Sequence, residues 1–117
     1  MAALLPTRRA LTSLFFGGGT PSLMPPNIIA KIINHAEKTF GFAPKIEITA
    51  EANPTSVEAQ VMTEFFYAGV NRVSMGVQSF DNEILQFLGR EHNAAEALSA
   101  LQTVRRHFDN LSIDLIY

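Results

Sequence analysis

The side chains able to do chemistry in this chain are few, and they gather at the ends of apolar runs. Glu51 and Asp114 are carboxylates that could share acid–base work. Gln78 offers an amide with both donor and acceptor, and Arg90, directly after Gly89, carries a planar fork suited to a carboxylate. Gly17, Gly18 and Gly19 follow Leu14-Phe15-Phe16 and precede Thr20-Pro21-Ser22. Glycine costs folding entropy, and a tight turn needs only two. A third in succession reads as a backbone opened for a ligand.

Other chemistries are excluded by what the sequence lacks. It contains no cysteine, which removes thiolate metal ligands, thiol nucleophiles and disulfides. No Gly-Lys-Ser/Thr follows the glycines, no Gly-x-Gly-x-x-Gly is present, and there is no Gly-x-Ser-x-Gly elbow. His35, His92 and His107 have no metal-ligand spacing; His35 and His107 read as helix-surface residues, and His92 lies beside Arg90. No metal site is expected. A net charge of −2 leaves no electrostatic footprint for nucleic acid. No apolar run reaches the ~20 residues of a membrane span. The first residues place their charge after the apolar ones, unlike a secretory signal, so a cytoplasmic location is expected.

The elements that must position these residues follow in order. Ser13 to Phe16 reads as a strand entering the glycine run. Pro25-Pro26 opens a helix where proline is tolerated; Ile28, Ile29, Ile32, Ile33 and Ala36 recur at helical spacing, and Gly41 ends it. Lys45 to Glu51 alternates as a second strand, broken by Asn53-Pro54. Thr55 and Glu58 form a capping box, with Glu58 reaching back to the cap. The helix after them turns Val57, Val61, Met62, Phe65 and Phe66 inward and stops at Gly69. Arg72 to Ser79 is the third strand. Asp81 caps a short helix with Ile84, Leu85, Phe87 and Leu88, ended by Gly89. Asn93 caps the next, with Ala97, Leu98, Leu101 and Val104 inward and Arg105, Arg106 and His107 at its cation-favouring end. Leu111 to Tyr117 is the fourth strand. The prediction is an α/β fold: a parallel-stranded partial (β/α) barrel of about four strands, half of a full ~250-residue barrel.

Side chains alternate faces along a strand. Lys45, Glu47, Thr49 and Glu51 therefore oppose Ile46, Ile48 and Ala50; Arg72, Ser74, Gly76 and Gln78 oppose Val73, Met75 and Val77; Ser112, Asp114 and Ile116 oppose Ile113, Leu115 and Tyr117. One face is persistently polar or small, where a packed barrel interior would be Val, Ile and Leu. Glu51 and Gln78 lie nearest the C-terminal strand ends, with Asp114 a little deeper. Ligands of α/β folds bind at that edge, and the glycine loop shares it.

With these residues in place, the chain resembles the radical S-adenosylmethionine proteins, and within them the oxygen-independent coproporphyrinogen III oxidase and haem chaperone family. The resemblance runs from Leu14 to Tyr117. It rests on Phe16-Gly-Gly-Gly-Thr-Pro-Ser22, Glu51-Ala-Asn-Pro54, Asn71-Arg-Val-Ser-Met-Gly-Val-Gln-Ser-Phe80, Leu88-Gly-Arg-Glu-His92 and Ile113-Asp-Leu-Ile-Tyr117. Ala-Asn-Pro, Gln-Ser-Phe and Gly-Arg-Glu-His are more similar to the haem chaperone branch.

The resemblance implies that Gly18, Gly19 and Thr20 hold the methionine end of S-adenosylmethionine through the backbone. It implies that Glu51 contacts the cofactor in part through its sugar, and that Gln78, Arg90 and Asp114 complete the site. It singles out no catalytic residue. Family members carry a Cys-x-x-x-Cys-x-x-Cys loop that binds a [4Fe–4S] cluster, which thiolates hold; this sequence has no cysteine. The expectation is therefore an interior piece, the second to fifth barrel strands, of a longer parent acting in haem biosynthesis or delivery, with haem or porphyrin as the parent's partner. Alone, it is expected to hold no cluster and cleave no cofactor. Strand edges near Phe15 and Ile113 would lack neighbours, so self-association is expected. On the residues alone, two other readings stay open: a small non-catalytic α/β module for a nucleoside-like ligand or a protein partner, and a non-functional truncated product.

Overall fold

Each helix starts where the sequence offers an acceptor or a proline, and three of the four are followed directly or within two residues by a glycine at positive φ. The computed structural model describes residues 10–17, 21–90 and 92–115; Gly18, Gly19, Thr20, Glu91, Ile116 and Tyr117 lie outside the described residues. Strand β1 (Leu11–Phe16) leads through a short 3-10 turn (Pro21–Leu23) to helix α1 (Pro26–Phe40). Then come β2 (Phe42–Ala52), α2 (Ser56–Ala68), β3 (Arg72–Gln78), α3 (Asn82–Phe87), α4 (Ala94–Arg105) and β4 (Asn110–Leu115). The Thr55, Asp81 and Asn93 side chains each accept backbone N–H bonds at their helix starts, which satisfies donors no helical carbonyl can reach. Gly41 (φ 74°) ends α1, Gly69 (φ 122°) ends α2 and Gly89 (φ 72°) follows α3, a backbone region that favours glycine.

The strands form one sheet in the order β1-β2-β3-β4, and every neighbouring pair is parallel. Ile48, Ala50 and Ala52 of β2 and Val73, Met75 and Val77 of β3 enter one core cluster. Ile29 and Ile33 of α1, Ala59, Met62 and Phe65 of α2, and Ala97, Ala100 and Val104 of α4 join the same cluster. Helices α1, α2 and α4 therefore cover a single face. That arrangement, with sequential strand order, is an arc of a β/α barrel rather than a doubly wound sheet. The edges of the arc are β1 and β4.

Two side chains lock the arc at its N-terminal end. The Asn71 amide accepts from Ile48 N at 2.8 Å and donates to Ile46 O at 2.9 Å, while its own N–H bonds Ile48 O at 2.9 Å. Arg72 donates to Thr49 Oγ1 at 3.4 Å and also to Ser112 Oγ. A guanidinium thus spans β2, β3 and β4, and Thr49 is buried although it lies on the polar face.

Several inward assignments are corrected by the packing. Val57 is 71% exposed, and Phe66 and Leu98 also face outward; Ala59 and Ala100 occupy the buried positions instead, since an alanine lets a helix approach the sheet closely. In α3 only Leu85 is buried, while Ile84, Phe87 and Leu88 are exposed: a six-residue helix presents a single turn to the core. Strand β2 begins at Phe42, earlier than the alternation predicts, because its register against β1 shifts between Leu11 and Ser13. Pro44 sits within that irregularity, where a missing ladder donor is tolerated. Glu58 does not close a capping box onto Thr55; its carboxylate reaches past the cap to Asn53.

The fully buried ring of Phe65 fills the contact between α2 and the sheet. Phe65→Ala is expected to cost about 3–5 kcal/mol of stability, and Val57→Ala less than about 0.5 kcal/mol. Urea unfolding of both variants measures this; equal losses would contradict the packing.

Candidate functional site

Parity and strand length bring the site together. Glu51 is the penultimate residue of β2, Gln78 ends β3 and Asp114 is penultimate in β4. All three line one cleft of about 220 Å³, together with Arg90, Ser74, Gly76, Asn53 and Pro21. Each candidate residue that the structure describes therefore meets the others at one rim. Gly18, Gly19 and Thr20 lie outside the described residues, but Gly17 and Pro21 flank them, and Pro21 is in the cleft wall.

Gly17 explains itself. A Cβ there would lie 3.0 Å from the Glu51 carboxyl carbon and would run into the Phe15 ring. The glycine lets the end of β1 close over Glu51. Gly76 is different: a Cβ there would sit 3.4 Å from Gln78 Nε2, an ordinary contact. Glycine at this position keeps the cleft floor open rather than relieving a clash.

Gln78 is the non-glycine residue with positive φ (72°) among the described residues. Ser79 N donates to Val77 O at 2.9 Å across it, which makes a three-residue γ-turn of the rarer, strained hand. The β3–β4 register also shifts between Met75 and Gln78, three residues on β3 matching two on β4. Such a bulge bends a strand end and re-aims its side chain. Strain of this kind costs about 1–3 kcal/mol and persists where the surroundings enforce it.

His92 does the enforcing. It is buried, and its Nε2 lies 2.8 Å from Val77 O. A carbonyl only accepts, so Nε2 carries the proton and the ring holds the γ-turn from behind. Spacing gave no signal for this, because the bond joins residues fifteen apart in sequence. His35 is exposed on α1 as expected. His107 is half-buried after α4, its ring 5.2 Å from Phe66 and 5.7 Å from Tyr67, so it packs rather than lying bare on the surface.

Asp114 is exposed, and it accepts from Ser74 Oγ at 3.4 Å. Arg90 is anchored through its backbone, its N–H bonding Leu85 O at 3.0 Å just after Gly89. The cleft thus offers carboxylates for hydroxyl or ammonium donors, a guanidinium for a carboxylate, and an amide able to serve either. A zwitterionic, sugar-bearing ligand such as S-adenosylmethionine matches that donor set. An iron–sulfur cluster does not fit this chain, which has no thiolate to hold one. Among the described residues no group of three His, Asp or Glu could hold a metal ion, and no helix is long and apolar enough to cross a membrane.

Sequential parallel strands, helices on one face and a polar cleft at the C-terminal rim define a segment of a β/α-barrel protein. The chain belongs to the radical SAM superfamily, whose profile matches residues 1–117. It is 45% identical over 111 residues to the haem chaperone HemW of Haemophilus influenzae, covering 94% of this chain and 29% of that one. It is 43% identical over 109 residues to the mitochondrial radical S-adenosyl methionine domain-containing protein 1 of Bos taurus, covering 92% of this chain and 25% of the relative. Among solved structures, coproporphyrinogen III oxidase (HemN) from Escherichia coli, a radical SAM enzyme, superposes with a TM-score of 0.77 at 33% identity, over 93% of this chain and 25% of the other. The Elp3 protein of Methanocaldococcus infernus gives a TM-score of 0.70 at 22% identity, over 89% of this chain and 28% of that one, which shows a shared fold. The chain spans about a quarter of the length of these relatives.

The strain at Gln78 has a measurable counterpart. Gln78→Gly relieves a positive-φ penalty of roughly 1–2 kcal/mol against a glycine entropy cost of about 0.5–1 kcal/mol. Its stability in urea is expected to equal or exceed the wild type; a loss above about 1 kcal/mol would show that the turn is not strained.

Proposed function

We propose that this chain forms the S-adenosylmethionine-binding wall, the second to fifth barrel strands, of a radical SAM protein of the haem chaperone and coproporphyrinogen III oxidase family. The whole protein acts in haem delivery or biosynthesis, with haem or a porphyrin as its small-molecule partner. The observation that carries this reading is the meeting of Glu51, Gln78, Arg90 and Asp114 in one cleft with Pro21, the first described residue after Gly18-Gly19-Thr20 in sequence. Its assignment to the haem chaperone side is supported by the 45% identity to HemW, against 33% to HemN.

Gly18, Gly19 and Thr20 would take the methionine end through backbone groups, and Arg90 would pair the carboxylate there or complete the pocket. Glu51 would accept from the sugar hydroxyls, and Asp114 and Gln78 would fix the remaining polar edges. Bound in a whole protein of the family, the cofactor supplies radical chemistry. This chain's residues bind, orient and enclose it. The missing thiolates favour a binding role over catalysis for the chain by itself.

Titration calorimetry of the 117-residue chain with S-adenosylmethionine is expected to give saturable one-to-one binding. Arg90→Ala and Asp114→Asn should each weaken it about tenfold, the scale of one charge-assisted hydrogen bond. Absence of binding, or affinities untouched by either change, would refute the reading.

Among the described residues β1 and β4 are the edge strands, each with one neighbour in the sheet, and they carry the exposed Phe15, Ile113 and Leu115. We propose that copies of the chain associate through them. Light scattering is expected to show a mass above the monomer's, rising with concentration; a monodisperse monomer would count against it.

A further inference from the structure

The Pro21–Leu23 turn and the Glu51 strand end come from different parts of the chain, yet both border the cleft and a binding site needs their spacing fixed. One half-buried carboxylate joins them. Glu58, in the first turn of α2, accepts from Ser22 Oγ at 3.1 Å with Oε1. The same oxygen accepts from Asn53 N at 3.0 Å, and Oε2 accepts from Asn53 Nδ2 at 2.9 Å. Ser22 lies in the 3-10 turn that follows the glycines, and Asn53 comes two residues after Glu51. Glu58 and Asn53 both border the cleft.

We infer that Glu58 is a positioning residue: a clamp that holds the Pro21–Leu23 turn against the chain just after Glu51 and so sets the distance between Pro21 and Glu51 across the cleft. It touches the ligand's surroundings rather than doing chemistry. Three donors converge on one carboxylate, which is more than helix capping requires, since Thr55 already takes the Glu58 N–H at 3.2 Å. Two of the donors come from Asn53, which locks that loop to the α2 start. The third, Ser22, is remote in sequence by 36 residues, and it is the link that ties the Pro21–Leu23 turn to the start of α2. Charge-assisted bonds of this type are the stronger class.

The inference rests on reading the cleft as the cofactor site, so its test carries a second readout independent of the cofactor. Ser22→Ala removes only the link to the turn; Glu58→Ala removes all three bonds; Thr55→Ala removes the N-cap and leaves the clamp. Amide hydrogen exchange is followed at Met24, whose N–H bonds Pro21 O in the turn, and at Asn53. S-adenosylmethionine affinity is measured in parallel. Ser22→Ala is expected to speed Met24 exchange about tenfold and weaken S-adenosylmethionine about fivefold, with Asn53 exchange and the melting midpoint unchanged. Glu58→Ala should speed both amides. Thr55→Ala should lower the midpoint without moving Met24. Unchanged Met24 exchange in both Ser22→Ala and Glu58→Ala overturns the clamp, as does an equal rise in Thr55→Ala. If the wild-type chain fails to bind S-adenosylmethionine, the cofactor reading falls, and the exchange data alone decide the clamp.

Discussion

The whole rim depends on one row of interlocked strand side chains. Ile48, Ala50 and Ala52 lie beside Val73, Met75 and Val77 under α1, α2 and α4. Burying that row decides the orientation of every residue between its members. Because side chains alternate along a strand, placing the apolar set against the helices turns Glu51, Ser74 and Gly76 toward the opposite side without any further instruction. The polar cleft is thus a by-product of hydrophobic burial. Its contents could change without disturbing the force that aims them.

The strand ends obey a second rule, local geometry added to periodicity. Alternation carries β3 through Val77 to Gln78, and over that same end a bulge and a γ-turn bend the backbone. The strained backbone at Gln78 is stable because the Val77 carbonyl receives two donors, one from Ser79 and one from the buried ring of His92. Order at the site is therefore supplied from outside it. A side chain that never faces the cleft helps to fix one that does.

Much of this was legible in the residue order. The βα alternation, the caps at Thr55, Asp81 and Asn93, and the glycine stops are local signals, and local signals survive folding. The convergence of Glu51, Gln78 and Asp114 could be read because parity and strand polarity are properties of the chain itself. Arg90 needed the family resemblance, since a cation after a glycine carries no direction. What stayed hidden was long-range. The His92–Val77 and Glu58–Ser22 bonds join segments whose meeting no spacing rule foretells. The exposure of Val57 and Phe66 went unread for a similar reason: α2 has more apolar residues than the sheet has room to cover, and only the docking angle chooses among them.

Asn71 shows how far such a choice can reach. Its amide pins the foot of β3 to two neighbouring peptide groups of β2, and β3 then runs for seven residues from Arg72 to Gln78, roughly 20 Å at ordinary strand rise. A slip of one residue at the foot would exchange the two sides of the strand along its length. Asn71 therefore acts as the zero mark of a ruler whose far end is read at the cleft. The residues of that strand's open side, Ser74, Gly76 and Gln78, are the ones a ligand would meet, whereas the phase of the whole is kept by a residue that no ligand would meet.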